Sequence, residues 1–351
     1  MSHVRPLPAA PLARRLQGGW LALAMGLGAL AAGAGAAAIL GCHPRQAKAP
    51  DWVLTAPAST VMAVSGQAGW VLEQPQFQTF LERYPLADQT LDLFLKRAHI
   101  NPHQETGRIT FYVLNLPVLG NPGGVKPDSS DFLIQLGGFQ DSGALQVAIS
   151  DAFPAEGSLP IEGRELPLYV VLDLNQYHIR VVTDSAGRVW LGDLGALARL
   201  GSGRLPPRNP VALSAEWVNG NAPFQGYLRP QGILAAASSH LPAERARNLP
   251  QGIESLAWSV TPGTGKDQLH RFELAITGSK EGVLQVAPWL QRFVAAATAM
   301  QGAPSQPPEI LQETRRIGLR AQLTQNQVNT ALSKLSQPGI SWVPAAKPAK
   351  P

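Results

Sequence analysis

The chain has 351 residues, with 29 Lys and Arg against 24 Asp and Glu, and a formal net charge of +5. Three of the basic residues lie among the first 17 positions, so the remainder carries 26 basic and 24 acidic residues, a net charge of +2. This near balance excludes the strongly basic surface that is typical of nucleic-acid-binding domains. The length is sufficient for a large hydrophobic core.

The N-terminal segment has the three parts of a secretory signal. Arg5, Arg14 and Arg15 are followed by 24 uncharged residues, 18–41, which are Gly, Ala, Leu, Ile, Met and Trp. A basic part, an apolar part and small residues at the end are typical of a segment that directs export and is then removed. We therefore predict an apolar signal helix within 1–41.

The only cysteine of the chain ends this apolar run, in the sequence Ile39-Leu40-Gly41-Cys42. These four residues resemble the lipobox of bacterial lipoproteins. The resemblance implies that the signal peptidase recognises the first three residues, that the Cys42 thiol receives a diacylglyceryl group, and that the chain is cut before Cys42 and acylated there. His43 follows, whereas lipoproteins kept at the inner membrane of many Gram-negative bacteria have Asp at this position. The resemblance therefore implies the outer membrane, with the protein facing the periplasm.

An uncleaved signal anchor is the alternative interpretation of the same segment. In helical form, residues 18–41 would extend about 36 Å, enough to cross a hydrocarbon core of about 30 Å, with Arg14 and Arg15 holding the N-terminus in the cytoplasm. A buried helix is a third interpretation. Both membrane interpretations place residues 43–351 outside the cytoplasm, where one cysteine forms no internal disulfide.

Composition divides the exported part into five segments. We predict a Pro- and Ala-rich tether over 42–57, a first α+β unit over 58–200, a linker over 201–209, a second α+β unit over 210–335 and a disordered Pro/Ala/Lys tail over 336–351.

The two predicted units share a short sequence match. Residues 143–148 (GALQVA) and 282–287 (GVLQVA) agree at five of six positions, and each stretch follows a predicted strand. We interpret this match as an internal duplication. It predicts that the two stretches form equivalent helices, with Leu145 and Leu284 as the equivalently buried pair.

The predicted element order is the same in both units. Each opens with a strand, 60–65 or 211–218, and continues with a helical region, which is 222–239 in the second unit. In the first unit the helical region is 76–84 with 86–100, the two strands are 108–115 and 131–139, and 178–184 with 188–193 closes the unit after the matched helix. In the second unit the two strands are 253–260 and 269–277, and the closing strand is 316–323. A short helix ends each unit, at 194–200 and 324–335, and Asp193 is the predicted cap of the first of these. The order β-α-β-β-α-β predicts an α+β fold with mainly antiparallel sheets and helices on one face.

Local motifs give little support for catalysis or metal binding. The stretch 261–267 (TPGTGKD) is similar to a phosphate loop, but Asp267 replaces the hydroxyl that would hold magnesium, so we predict a hairpin loop. His99 and His103 have helical metal-ligand spacing, but Pro102 between them breaks a helix. We therefore predict no catalytic, metal or cofactor residues, although a carboxylate pair from distant positions stays open.

The stretch 183–193 (TDSAGRVWLGD) has two interpretations. A turn at 184–187 between two strands would place Trp190 in the core. Alternatively, Trp190 would form an aromatic binding surface with Arg180 and Arg188.

These observations predict a lipid-anchored cell-envelope protein whose exported part has a non-catalytic binding or scaffolding role. The expected partners are the membrane, through the N-terminal lipid or a transmembrane helix, and an envelope protein or ligand of unknown identity. Nucleic acid is not expected. Two alternatives stay open: an envelope enzyme with a site assembled from distant residues, and a carrier of an apolar ligand with a cavity between sheet and helices.

Overall fold

The fold is known from a computed structural model. It describes residues 49–72, 85–101, 107–114, 132–139, 141–161, 163–174, 177–206, 209–231, 251–263, 269–298 and 308–324. The signal and lipobox residues Ile39, Leu40, Gly41 and Cys42 lie outside the described residues, and so does the predicted tail.

Twelve strands of the described residues form one sheet. They are β1 Met62–Gln67, β2 Arg108–Val113, β3 Phe132–Gly137, β4 Ala155–Ile161, β5 Arg164–Leu174, β6 Tyr177–Thr183, β7 Val189–Asp193, β8 Phe224–Leu228, β9 Ile253–Thr261, β10 His270–Gly278, β11 Glu309–Gln312 and β12 Arg316–Leu323. Their order across the sheet is β11-β12-β10-β9-β8-β1-β2-β3-β7-β6-β5-β4, and neighbouring strands run antiparallel.

Seven helices of the described residues accompany the sheet. They are α1 Asp51–Leu54, α2 Ala68–Val71, α3 Pro85–Arg97, α4 Ser142–Ala152, α5 Leu194–Gly201, α6 Pro210–Ala215 and α7 Lys280–Thr298. The combination of helices with an antiparallel sheet confirms the predicted α+β class.

Helices cover both faces of the sheet, because alternate strand residues are buried on opposite sides. The face that carries Val64, Ile134 and Leu274 packs against α3, α4 and α7, and we call it the long-helix face. The face that carries Leu133 and Ala275 packs against α1, α5 and α6, and we call it the N-terminal face. The prediction that helices lie on one face was therefore wrong.

The first half of the chain follows the predicted element order and adds two strands. Strands β1, β2, β3, β6 and β7 and helices α3, α4 and α5 lie where they were predicted, and the Asp193 side chain accepts a hydrogen bond from the Ala196 N–H as the cap of α5. Strands β4 and β5 were not predicted. Most of β4 is exposed, so its residues lack the apolar alternation by which a half-buried strand is recognised.

The start of the second half differs from the prediction. Residues 211–218 were predicted as a strand, but α6 begins at Pro210 because Asn209 caps it, accepting a hydrogen bond from the Ala212 N–H at 3.0 Å. Residues 222–239 were predicted as helical, but 224–228 form β8. This strand is buried along its whole length between β1 and β9, and this tertiary pairing decides its conformation.

The matched helices are not equivalent in rotation. Leu145 is 5% exposed on α4, whereas Leu284 is 52% exposed on α7, so the prediction of an equivalently buried pair was wrong. Asp141 caps α4 four residues before Leu145, and Ser279 caps α7 five residues before Leu284. One residue turns a helix by about 100°, which carries Leu284 away from the sheet.

The predicted tether is shorter than 42–57, because residues 49–56 belong to the folded body. Ala49, Trp52, Val53 and Ala56 are buried in the core of the N-terminal face. In the described part of the chain, no helix has both the length and the hydropathy needed to cross a bilayer.

Candidate functional site

A buried hydrogen-bond network fixes α1 at the centre of the N-terminal face. The indole N–H of Trp52 donates to Gln225 Oε1 at 3.1 Å. The Tyr112 hydroxyl lies 2.8 Å from the backbone oxygen of Trp52 and 2.9 Å from Gln135 Oε1, and Gln135 Nε2 donates to Thr55 at 3.4 Å. We call these five residues the N-terminal clamp. Because strands β2, β3 and β8 contribute to it, the clamp joins both halves of the sheet.

Stacked aromatic rings surround the clamp. The ring centroids of Trp52 and Tyr227 are 5.8 Å apart, and those of Tyr112 and Trp190 are 5.6 Å apart. Burial raises the pKa of both tyrosines above the usual value, so their hydroxyls stay neutral. Trp190 is 1% exposed, which confirms the predicted core tryptophan and excludes the aromatic binding surface.

The predicted turn at 184–187 holds a buried carboxylate beside the clamp. Asp184 accepts hydrogen bonds from the Arg188 guanidinium at 2.7 Å and from the Trp190 indole at 3.0 Å. Arg188 also contacts Asp51 of α1 at 3.0 Å. Burial alone would lower the pKa of Arg188, but the Asp184 carboxylate reverses this and raises it. These charges therefore stabilise the attachment of α1.

Arg180 forms an ion pair with β4, at the edge of the sheet. It is 3% exposed and donates to both carboxylate oxygens of Glu156 on β4. This hydrogen-bonded pair raises the pKa of Arg180 and lowers that of Glu156. Arg180 and Arg188 therefore bind different carboxylates, and the alternative interpretation, a binding surface of these arginines with Trp190, was wrong.

An open pocket of about 490 Å³ lies between α6 and the turn that joins β11 to β12. It is lined by Leu213, Thr277, Glu313, Thr314, Arg315 and Arg316. Thr277 is 2% exposed, and its hydroxyl has no hydrogen-bond partner among the described residues. Buried hydroxyls are normally paired, and this one is an exception that is enclosed by protein atoms.

Ion pairs balance the charge around this pocket. One guanidinium nitrogen of Arg315 contacts the two carboxylate oxygens of Glu254 at 2.9 and 3.1 Å. Arg316 contacts Glu313 at 2.9 Å and lies over the Trp217 ring, 5.0 Å from its centroid. The two arginines beside the pocket therefore have their charges compensated by Glu254 and Glu313.

A buried carboxylate lies near this pocket on the same face. Glu273 is 3% exposed and accepts hydrogen bonds from the Ser259 hydroxyl at 2.9 Å, the Asn219 N–H at 2.5 Å and the Arg271 guanidinium at 3.0 Å. Arg320 lies 3.6 Å away. These partners compensate the buried charge, so the group has a structural rather than a reactive environment.

The other candidate residues are scattered. His99 follows α3 with a φ of 54°, so it is not part of the helix, and His103 lies outside the described residues. The stretch 261–267 begins at the end of β9 and leads to β10, which pairs with it, so the predicted hairpin is confirmed. The part of the chain that the structure describes contains no group of three or more His, Cys, Asp or Glu that could hold a metal ion.

Sequence reasoning missed the pocket residues. The charged run Glu313-Thr314-Arg315-Arg316 was an available signal, but such a run is typical of any exposed turn. Thr277 alternates with apolar residues in β10, which gives no indication that the residue lines a pocket.

Comparisons with known proteins give no relative. No protein-family model matches the chain, and neither a curated protein nor a solved structure is significantly similar to it.

Proposed function

We propose that this chain is a lipid-anchored cell-envelope protein with a non-catalytic binding or scaffolding role. The observation that carries the proposal is the short distance along the chain between the lipobox-like Cys42 and the clamped residue Trp52. A folded body fixed this close to an acylated residue would be held at the membrane surface. The outer membrane, facing the periplasm, is the proposed location, and an inner-membrane signal anchor is the alternative.

The length of the intervening chain supports a membrane-proximal position. Six residues, 43–48, separate Cys42 from Ala49, the first described residue. Even when fully extended, this link spans at most about 25 Å. Because Trp52, Val53 and Ala56 are buried in the core, the link does not gain length by local detachment without loss of core packing.

The proposal includes an internal duplication, which is supported by strand order. Reading outward from the central β1–β8 pair, the first half runs β1-β2-β3-β7 and the second runs β8-β9-β10-β12. In each half, a helix of the long-helix face follows the third strand. The match between 143–148 and 282–287 does not support the duplication, because its leucines are not equivalently buried.

The register of the strands gives a second line of support. Val64 pairs with Gly226 at the centre of β1 and β8, and Met62 with Leu228 on one side of it. The outer edge of β1 pairs antiparallel with β2, and the outer edge of β8 pairs antiparallel with β9. A local twofold relation between two four-stranded units accounts for this arrangement.

Metabolic labelling tests the anchor. Cells expressing the protein with a palmitate analogue should yield a labelled product, and Cys42→Ser should abolish the label and accumulate the precursor. His43→Ala is the matched control, because it changes the neighbouring residue and keeps the thiol. Equal labelling of the wild type and Cys42→Ser would contradict acylation at this residue.

Site-specific photocrosslinking in cells tests the binding role. A photoreactive residue at Thr314, which is exposed beside the pocket, should give one discrete adduct, whereas the same residue at Val147 on the long-helix face should not. Arg316→Ala should reduce the Thr314 adduct. Identical patterns from both positions would contradict binding at the pocket.

The alternative functions are distinguished by the same variants. An envelope enzyme would lose turnover of its substrate when a pocket residue is changed. A carrier would need space between the sheet and the long helices, where Trp258, Trp289 and Phe293 are buried side chains. Extraction of the purified protein with organic solvent, followed by mass spectrometry of the extract, tests for a carried lipid.

A further inference from the structure

The proposed anchor restricts which surface of the folded body meets the bilayer. Helix α1 lies between β8 on one side and β2 and β3 on the other, because Trp52 contacts Gln225 and Thr55 contacts Gln135. At least four strands separate this position from either edge of the sheet, about 20 Å at the usual strand spacing. The link from residue 42 therefore starts near the middle of the N-terminal face.

The opposite face is out of reach of this link. A sheet with a helix layer on each side is about 30 Å thick, and a path from α1 around the strand ends to the outer side of α4 or α7 measures about 40 Å. The link of residues 43–48 spans at most about 25 Å. The membrane therefore meets the N-terminal face or the adjoining strand ends.

Basic residues outnumber acidic residues by five to three in the two segments that meet beside α1, 43–58 and 193–216. The segment 194–215, which includes α5 and α6, contains three arginines and no acidic residue, and the link 43–48 adds Arg45 and Lys48. The segment is in contact with the residues after α1, because the Ala58 N–H donates to the Gly203 oxygen at 3.1 Å.

Helix α5 presents small and apolar residues outward from this face. Its buried side chains are Ala196, Leu197 and Leu200, which pack on the sheet. Leu194 is 42% exposed and Ala198, one turn further along, is also exposed. A helix with flanking arginines and apolar outer residues fits the interface between lipid headgroups and acyl chains.

We infer that the outer surface of α5 and the 202–206 segment lies against anionic phospholipid, with the long-helix face directed away from the membrane. The inference rests on the proposed membrane anchor. It holds for the acylated form and for an uncleaved anchor alike, since both leave the membrane at residue 42. The pocket between α6 and the β11–β12 turn contains no residue of α5 or 202–206, so this orientation leaves it open to another envelope component.

The test uses two single substitutions at exposed helix positions on opposite faces, Ala198→Cys on α5 and Val147→Cys on α4. Full-length protein is reconstituted in phospholipid vesicles and labelled with a fluorescent donor, and energy transfer to a headgroup-labelled lipid is measured. The inference predicts higher transfer from position 198, since the two helix layers are about 20 Å apart. The unsubstituted protein controls for reaction of the dye at Cys42, and thermal unfolding verifies that both variants fold.

Three outcomes are distinct. Higher transfer from position 198 supports the inference, whichever anchor the intact mass of the same sample reveals. Equal transfer, or higher transfer from position 147, overturns the inference even in a protein whose acylation is confirmed. Failure of the full-length protein to associate with vesicles overturns both the inference and the proposed anchor.

A charge variant tests the lipid chemistry. The double substitution Arg199→Gln and Arg204→Gln should reduce transfer from position 198 on vesicles containing an anionic phospholipid, and should leave transfer on neutral vesicles unchanged. An equal effect on both kinds of vesicle would contradict the electrostatic part of the inference.

Discussion

The two halves of the sheet share a strand order but cover the N-terminal face in different ways. In the half that begins with β1, this face carries the stacked rings of Tyr112 and Trp190 and the Gln135 amide, and β8 completes the contacts that hold α1. In the half that begins with β8, it carries the buried Glu273 and several ion pairs. The long-helix face is apolar in both halves. Packing on the apolar long-helix face therefore accounts for the shared strand order. The two halves have separate roles on the N-terminal face.

The largest expected effect concerns the N-terminal clamp, which joins the two halves. Trp52→Ala should lower the free energy of unfolding by about 3–5 kcal/mol, because it removes a buried indole and its bond to Gln225. Denaturation in urea measures the effect. Asp51→Ala, at an exposed neighbouring position, is the control and should cost less than about 1 kcal/mol. Equal effects would show that α1 is not part of the stable core.

The matched leucines give the most direct contrast between the halves. Leu145→Ala should cost about 2–4 kcal/mol, because its side chain is buried against the sheet. Leu284→Ala should change the stability by less than about 0.5 kcal/mol, because its side chain is half exposed. Both values come from chemical denaturation of the single variants. Similar losses of stability at the two positions would mean that the two leucines are equivalently buried, which would contradict the helix rotation.

A buried histidine adds a pH dependence to the second half. His270 is 2% exposed, neither of its ring nitrogens has a hydrogen-bond partner among the described residues, and burial lowers its pKa. The unfolded chain therefore takes up a proton near its usual pKa of about 6.5 while the folded chain stays neutral. Stability is then complete above that pH and falls as the pH decreases through the folded pKa, with a slope of at most about 1.4 kcal/mol per pH unit.

Unfolding at pH 7.5 and pH 5.5 measures this dependence. The variant His270→Leu should show a smaller decrease in stability between the two conditions than the wild type. His178→Leu is the control, because it removes a half-exposed imidazole on β6. A wild-type decrease that persists unchanged in His270→Leu would assign the pH dependence to other groups.

Loss of a helix cap should have the smallest effect on stability. These variants test where the matched helices of the two halves begin. Asp141→Ala removes a side chain that accepts bonds from two N–H groups of α4, and Ser279→Ala removes the corresponding cap of α7. Each substitution should cost about 1 kcal/mol. Substitution of Asp141 and of Ser279 by Asn should preserve most of the stability. A negligible cost at either position would contradict the assignment of that residue as the cap that sets the rotation of its helix.

Sequence patterns predicted the elements whose local and tertiary preferences agree. The β-branched strands β2, β3 and β10, the amphipathic helix α3 and the capped helix α5 lie where they were expected. Trp190 was also placed in the core correctly, because a turn with Asp184 and Gly187 fixes the alternation that follows.

The remaining elements depend on contacts that a sequence does not display. Strand β8 is short and contains Gly226, which leaves room for the Trp258 ring of the neighbouring strand β9. The strand conformation of β8 therefore follows from its pairing with β1 and β9. The six-residue match placed two helices correctly but misjudged their rotation, which is decided by the caps Asp141 and Ser279. The pocket around Thr277 joins three elements that are distant in sequence, so no local pattern could predict it.

The intact mass of the protein extracted from membranes tests the central claim most directly. If Cys42 is the acylated first residue, the mass will equal that of residues 42–351 plus a diacylglyceryl group and an amide-linked acyl chain. Cleavage by a protease and sequencing of the N-terminal peptide would assign the added mass to Cys42. A mass that includes residues 1–41 without acyl groups would contradict the lipid anchor and favour the uncleaved signal anchor.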